Sequence, residues 1–128
     1  MGDSIHTKQV IKQALIHLCQ QKTFRKISVQ EIAHEANINR QTFYYHFTDK
    51  YDLLRWVYFE DAFHFLDPHN LSLDNWEEQA LKMLKVIADD KEFYSNTVAS
   101  DQEVLQQEFS TIIQQSFISI FNQMDQER

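Results

Sequence analysis

Apolar residues recur at helical spacing through most of the chain, with polar residues on the intervening faces. Val10, Ile11, Ala14, Leu15, Leu18 and Cys19 form the inward stripe of a first helix over about residues 4–21. A shorter pattern, Val29, Ile32, Ala33 and Ala36, begins directly after Ser28. Ser28 and Glu31 make an S-x-x-E capping box: the serine oxygen accepts the backbone N–H three residues on, and the glutamate reaches back to the serine amide. Gln30, Glu31, His34 and Glu35 are left on the solvent side. Asn37 falls where this helix must stop, and asparagine is among the few non-glycine residues that tolerate a left-handed backbone. Asn39 is placed to cap a third helix over residues 40–47. There Phe43 and Phe47, one turn apart, point inward, while Arg40, Gln41, Thr42, Tyr44, Tyr45 and His46 face outward.

After this unit Thr48 is placed to cap a longer helix running to about residue 66, with Leu53, Leu54, Val57, Tyr58 and Phe65 available for packing. Pro68, flanked by Asp67, His69 and Asn70, marks a loop, and Asp74 is placed to cap a helix to about residue 88. Trp76, Ala80, Leu81, Met83, Leu84 and Ile87 give that helix a wide apolar face, and residues 91–98 form a shorter helix with Phe93 and Tyr94. The last helix, about residues 101–124, carries Leu105, Phe109, Ile112, Ile113, Phe117, Ile120, Phe121 and Met124, a stripe too broad for one neighbour. Contact on two sides is expected, and self-association would supply it.

Composition narrows the class. One glycine and one proline in 128 residues leave too few turn residues for strands and hairpins, so the fold is expected to be all-α. No window reaches the length of a membrane span, and the polar start lacks the apolar core of a secretory signal, so a cytoplasmic location is expected. Cys19, the only cysteine, is expected to be a buried, inert thiol. The six histidines have no nucleophile paired with them, and no glycine-rich phosphate loop exists, so no enzyme and no cofactor are expected. Glu60, His64, Asp67 and His69 lie close enough in sequence to suggest a divalent-metal site, but a solvated helix end accounts for them, and no metal is expected. The net charge of −7 is unevenly spread: residues 1–50 hold seven Lys and Arg against four Asp and Glu, and the remainder holds five against fifteen. That division suits an N-terminal end facing phosphates, although an acidic helical surface also serves solubility.

Residues 28–50, SVQEIAHEANINRQTFYYHFTDK, place two short helices at helix-turn-helix spacing, with an outward second helix able to enter a DNA groove. The run Thr42-Phe43-Tyr44-Tyr45-His46-Phe47, followed by Lys50, resembles the recognition-helix signature of tetracycline-repressor-like (TetR/AcrR) regulators. The resemblance covers roughly residues 8–60, including the approach Thr23-Phe24-Arg25-Lys26-Ile27-Ser28. It implies a three-helix DNA-binding domain over residues 1–48, continued by a helical ligand and dimerisation domain over residues 49–128. Gln30, Gln41 and Tyr44 then look like base-edge readers, and Thr42, Tyr45, His46 and Lys50 like phosphate contacts, with Arg40 suited to either task. The plainer alternative is that Tyr44 and Tyr45 only cover the surface. Lys8 and Lys12 are candidates for the DNA backbone, with solvated lysines the default.

The implied function is a transcriptional regulator, with repression by occlusion the expected mode, binding a palindromic operator as a homodimer and responding to a small molecule. Trp56, Phe59, Phe63, Trp76, Met83, Phe93 and Tyr94 are the candidates to line an apolar effector cavity, or else to fill the core. The pattern departs from the family at Asn37, where many members carry glycine, and at Gln41, where glycine or proline is common. The resembling regulators also usually continue for two further helices. A truncated fragment, a short member, dimerisation through the last helix, or pairing with a longer relative are the open readings. A helical interaction module that binds another regulator, and a ligand or metal sensor without DNA activity, are the alternatives in function.

Overall fold

The computed structural model describes residues 2–126; Met1, Glu127 and Arg128, the outer ends of the two expected units, lie outside the described residues. Among the described residues there are seven α-helices, two 3-10 turns and no strand. The order is α1 (Gly2–Cys19), a 3-10 turn (Phe24–Lys26), α2 (Val29–Glu35), α3 (Arg40–His46), α4 (Lys50–Asp61), a second 3-10 turn (Phe63–Leu66), α5 (Trp76–Asp89), α6 (Lys91–Ser100) and α7 (Gln102–Gln126).

One apolar core runs through the molecule. Ile11 and Leu15 of α1, Ile32 of α2, Phe43 of α3 and Leu53, Leu54, Val57 and Tyr58 of α4 are fully enclosed, and the same cluster continues to Phe93 and Tyr94 of α6 and Ile112 of α7. Each such large side chain contributes roughly 1.5–3 kcal/mol on burial. Aromatic contacts join α4 to α6: Tyr58 stacks on Tyr94 with ring centroids 5.6 Å apart and meets Phe93 edge-on at 6.4 Å. The Tyr58 hydroxyl is paired inside this core with the Thr97 hydroxyl at 2.6 Å.

The local signals of the first three helices are realised in detail. Ser28 Oγ accepts the Glu31 amide at 3.1 Å, and Glu31 Oε1 accepts the Ser28 amide at 3.2 Å. Lys22 donates to the other Glu31 oxygen at 2.6 Å. The Lys22 ammonium, then the Ser28 amide, hold the Glu31 carboxyl below its ordinary range. The charged box is therefore intact at neutral pH and is lost only as pH falls through that lowered value. At the other end of α2, Asn37 has φ 58°, the left-handed conformation expected. The Ile38 amide reaches back to Ala33 O at 2.9 Å and the Asn37 amide to His34 O at 3.1 Å, the bond pair of a Schellman motif.

Elsewhere the expected boundaries shift for identifiable reasons. Asp49, not Thr48, caps α4: its carboxylate accepts the Asp52 amide at 2.8 Å, while Asp52 accepts the Thr48 amide at 2.9 Å. The expected continuous helix to residue 66 breaks at Ala62, which leaves the helical region with φ −126° and ψ −54°. The following 3-10 turn aligns Phe63 and Leu66, both buried, on the same side, because residues three apart eclipse at three residues per turn. Asp74 does not cap α5, which begins at Trp76 without a side-chain cap. Instead the Asn75 amide group holds the preceding loop, accepting from the Ser72 amide at 2.7 Å and donating to Asn70 O at 2.9 Å. Cys19 is half-buried rather than enclosed, and its burial pushes the thiol pKa up to about 12.

Two outcomes follow from these contacts. Asn37→Gly should leave stability unchanged or raise it by a few tenths of a kcal/mol, whereas Asn37→Val should lower it by about 1–2 kcal/mol, read by urea unfolding. Iodoacetamide at pH 8 should alkylate Cys19 at least about tenfold more slowly in the folded chain than in urea-unfolded chain, measured by mass spectrometry.

Candidate nucleic-acid interface and effector cavity

The placement of α3 is fixed from both ends and from below. Asn39 Oδ1 accepts the Thr42 amide at 2.8 Å and the Thr42 hydroxyl at 3.0 Å, so the cap uses the Thr42 side chain as well as its backbone. Phe43 and Phe47 are buried, with Phe47 packed on Trp56 of α4 at 5.7 Å between ring centroids. With these two anchors turned inward, the opposite face of the seven-residue helix is turned outward: Arg40, Gln41, Tyr44 and Tyr45 are exposed, Tyr45 to 82%. The Arg40 guanidinium lies 5.9 Å from the Tyr44 ring centroid, a cation–π arrangement that steadies both groups at the start of the helix. Tyr45 meets His46 edge-on at 5.0 Å. Burial and the nearby Lys8 charge hold the His46 pKa below its ordinary value, which favours the neutral imidazole. Gln30, on α2, is also exposed. Thr42 and His46 are half-buried.

Lys50 is placed differently from the resemblance. Its ammonium donates to Phe24 O at 2.8 Å, Arg25 O at 3.1 Å and Ile27 O at 2.8 Å, which accounts for all three of its N–H groups. It also sits 4.5 Å from the Phe24 ring centroid. In this structure the first residue of α4 thus binds the chain's own backbone ahead of α2. Partial burial also lowers its pKa from the ordinary lysine value.

The basic surplus of the first fifty residues is likewise partly internal. Lys12 is buried and paired with Asp61 of α4 at 2.8 Å, so it is neither solvated nor available to DNA. Lys22 is joined to Glu31. Lys8 lies 5.6 Å from the Phe47 ring centroid and 5.9 Å from that of Trp56, beside the end of α3. Arg25, Lys26 and Arg40 are the exposed cations of this half.

The seven aromatic and apolar candidates for an effector cavity are not brought together. Phe63, Met83, Phe93 and Tyr94 are buried in the core, Trp56 packs on Phe47, and Phe59 borders a surface depression with Asp67 and Pro68. Only Trp76 lines the apolar cavity, of about 340 Å³, that lies between α5 and α7. Its other walls are Leu66 and Leu71 below, Ala80 from α5, and Ile113, Phe117, Ile120 and Phe121 from α7. Ser116 supplies a hydroxyl at its base, already 2.6 Å from Leu66 O and 2.7 Å from Ile112 O. The helical spacing of Ile113, Phe117 and Ile120 was the available sequence signal for this wall. Part of the α7 stripe faces solvent, with Phe117, Phe121 and Met124 about half exposed. His69 pairs with Asp67 at 2.9 Å at an exposed loop, and among the described residues no group of three His, Cys, Asp or Glu side chains is placed to hold a metal ion. Nor is any described helix long and apolar enough to cross a membrane.

Comparison with known proteins agrees with this geometry. The model of bacterial regulatory proteins of the tetR family matches residues 11–57, and the model of a transcriptional regulator C-terminal region matches residues 74–128. The chain is 33% identical over 102 residues to the HTH-type dhaKLM operon transcriptional activator DhaS of Lactococcus lactis subsp. lactis (strain IL1403), a match covering 80% of this chain and 54% of that protein. It therefore spans about half the length of that curated relative. A solved structure of the dihydroxyacetone kinase operon activator DhaS superposes with a TM-score of 0.72 at 26% identity, over 96% of this chain and 68% of the other. Both are named as operon activators. With the capped α2–turn–α3 unit inside the first matched segment and α5, α6 and α7 inside the second, the chain belongs to the tetR family of bacterial regulatory proteins.

Proposed function

We propose that this chain is a cytoplasmic transcriptional regulator that reads operator DNA with the outward face of α3. The observation that carries the reading is the rigid presentation of that face: a side-chain cap at Asn39, two buried phenylalanines beneath, and Arg40, Gln41, Tyr44 and Tyr45 exposed above. Gln41 and Gln30 have the amide groups that pair with adenine, and Arg40 the fork that pairs with guanine. Thr42, Tyr45 and His46 serve the phosphates, which fix register without reading sequence. Lys50 acts on DNA indirectly, by holding the 3-10 turn on which α2 is set. The functional division falls near residue 48, with the following helices regulatory.

A homodimer reading a palindrome is supported by the half-exposed Phe117, Phe121 and Met124 of α7, which a second copy would cover. Half-sites would then recur roughly 34–36 Å apart or at multiples of this. The cavity between α5 and α7 is the place we assign to an apolar small-molecule effector, its volume lying within the range of small-ligand sites. For the direction of regulation, both relatives are named operon activators. We take activation as the working reading over the repression expected from the resemblance; a reporter fused downstream of the operator rises with the chain in the first case and falls in the second.

The reading is tested by selecting bound duplexes from a randomised pool with the full chain. Wild type should recover a palindrome, and failure to enrich any sequence at moderate salt would contradict operator recognition. On the selected duplex, Gln41→Ala and Tyr44→Ala should each relax preference at one position by about 1–3 kcal/mol. Tyr45→Phe should weaken binding to all sequences alike. Lys50→Met should lower unfolding stability by about 2 kcal/mol, since three carbonyls lose a charged donor. Its salt dependence of DNA binding should stay close to wild type, whereas a direct phosphate contact would reduce the slope by about 1.

A further inference from the structure

We infer that Asn96 of α6 is a positioning residue that clasps the α1–α2 connection, making α6 and the base of the DNA-reading unit one body. The inference rests on the DNA-reading role assigned to α3 only for its functional consequence. Asn96 is half-buried, and its side-chain amide meets three backbone groups from a segment more than seventy residues away. Its Nδ2 donates to Cys19 O at 2.8 Å, at the last residue of α1, and to Lys22 O at 3.0 Å. Its Oδ1 accepts the Phe24 amide at 2.9 Å, at the first residue of the 3-10 turn. This orientation alone is compatible with the partners, since the flipped amide would set an oxygen against two carbonyls and an N–H against an N–H. A carboxylate, a hydroxyl or an aliphatic chain at this position would satisfy at most part of the set.

The neighbouring positions on α6 extend the grip. Ser100, one turn on, accepts the Arg25 amide at 3.2 Å, and its carbonyl faces Arg25 Nη2 at 3.4 Å. Thr97 holds the Tyr58 hydroxyl of α4. Successive residues of α6 therefore bind the two elements that flank the helix-turn-helix, the connection before α2 and the helix after α3. Lys50 grips the same 3-10 turn from the α4 side through the carbonyls that Asn96 leaves. A displacement of α6 must then either carry the connection, and with it α2, or break the Asn96 bonds. This route to α2 does not pass through α4.

The test uses the full chain, labelled for NMR. In free wild type, a through-hydrogen-bond scalar coupling should join the Phe24 amide to Asn96 Cγ, and its absence would overturn the clasp whatever the variants do. Relative to core amides such as Leu15, the Phe24 amide should exchange at least roughly fivefold faster in Asn96→Ala, while Asn96→Asp, which keeps the acceptor, should preserve its protection. Ser100→Ala should release Arg25 and leave Phe24 protected. With the selected duplex bound, exchange at residues 97–101 should slow in wild type and stay unchanged in Asn96→Ala, because a coupling between sites must be reciprocal. Equal slowing in both would overturn the transmitting role. Absence of any DNA binding by wild type would instead overturn the DNA reading and the transmission that depends on it, while the free-chain coupling and exchange would still decide the clasp.

Discussion

Between the end of α1 and the start of α2 the chain passes under the rest of the molecule with backbone groups that helix bonding does not absorb, and two distant side chains answer for them. Lys50 takes the carbonyls of Phe24, Arg25 and Ile27, and Asn96 takes those of Cys19 and Lys22 together with the Phe24 amide. Polar backbone left unpaired away from water costs about 1–3 kcal/mol per group, so both residues contribute to holding this part-buried connection in shape. The consequence is geometric. Phe24 and Ile27 are driven into the core at that point, Ser28 is delivered to the start of α2 as its cap, and α2 then orients the turn at Asn37 and the helix that follows.

The exposed face of α3 is a by-product of that chain of constraints. Its anchors Phe43 and Phe47 have only one way to reach the core once α2 and the Asn37 turn are fixed, and what remains outward is a set of amide, guanidinium and phenol groups suited to a DNA groove. The helices after α3 attach to this unit through polar contacts as well as apolar packing: Lys12 to Asp61, and the Asn96 clasp. Such contacts have direction and distance limits that apolar packing lacks, which makes them suited to sensing a shift of one helix against another.

What could be seen in the sequence was what depends on near neighbours. The Ser28–Glu31 box, the left-handed Asn37 and the Phe43–Phe47 pair are each settled within five residues, and all three appear as expected. The break at Ala62 was hidden because Phe63 and Phe65 continue an aromatic run that fits an α-helix equally well; only the need to bury Phe63 and Leu66 together selects the tighter turn. The internal partners of Lys50 were hidden for a similar reason. A lysine at the start of a helix after a recognition motif reads as a phosphate contact, and the carbonyls that capture it lie more than twenty residues earlier. The effector candidates are scattered because aromatic content carries no angle: Trp56, Phe59 and Phe63 lie on one stretch of chain yet face Phe47, the surface and the core. The cavity walls came instead from Ile113, Phe117, Ile120 and Phe121, residues read from the sequence as a pairing stripe.

The central claim is that the outward face of α3, with Gln30 beside it, is the surface that meets DNA. Titration of the isotope-labelled full chain with a random-sequence duplex at low salt, followed by backbone amide shifts, tests it without knowledge of the operator. The account predicts the largest shifts at Gln30 and across residues 40–46, with little change at Leu81, Phe117 or Met124. Shifts centred on α5 and α7, with α3 unmoved, would contradict it.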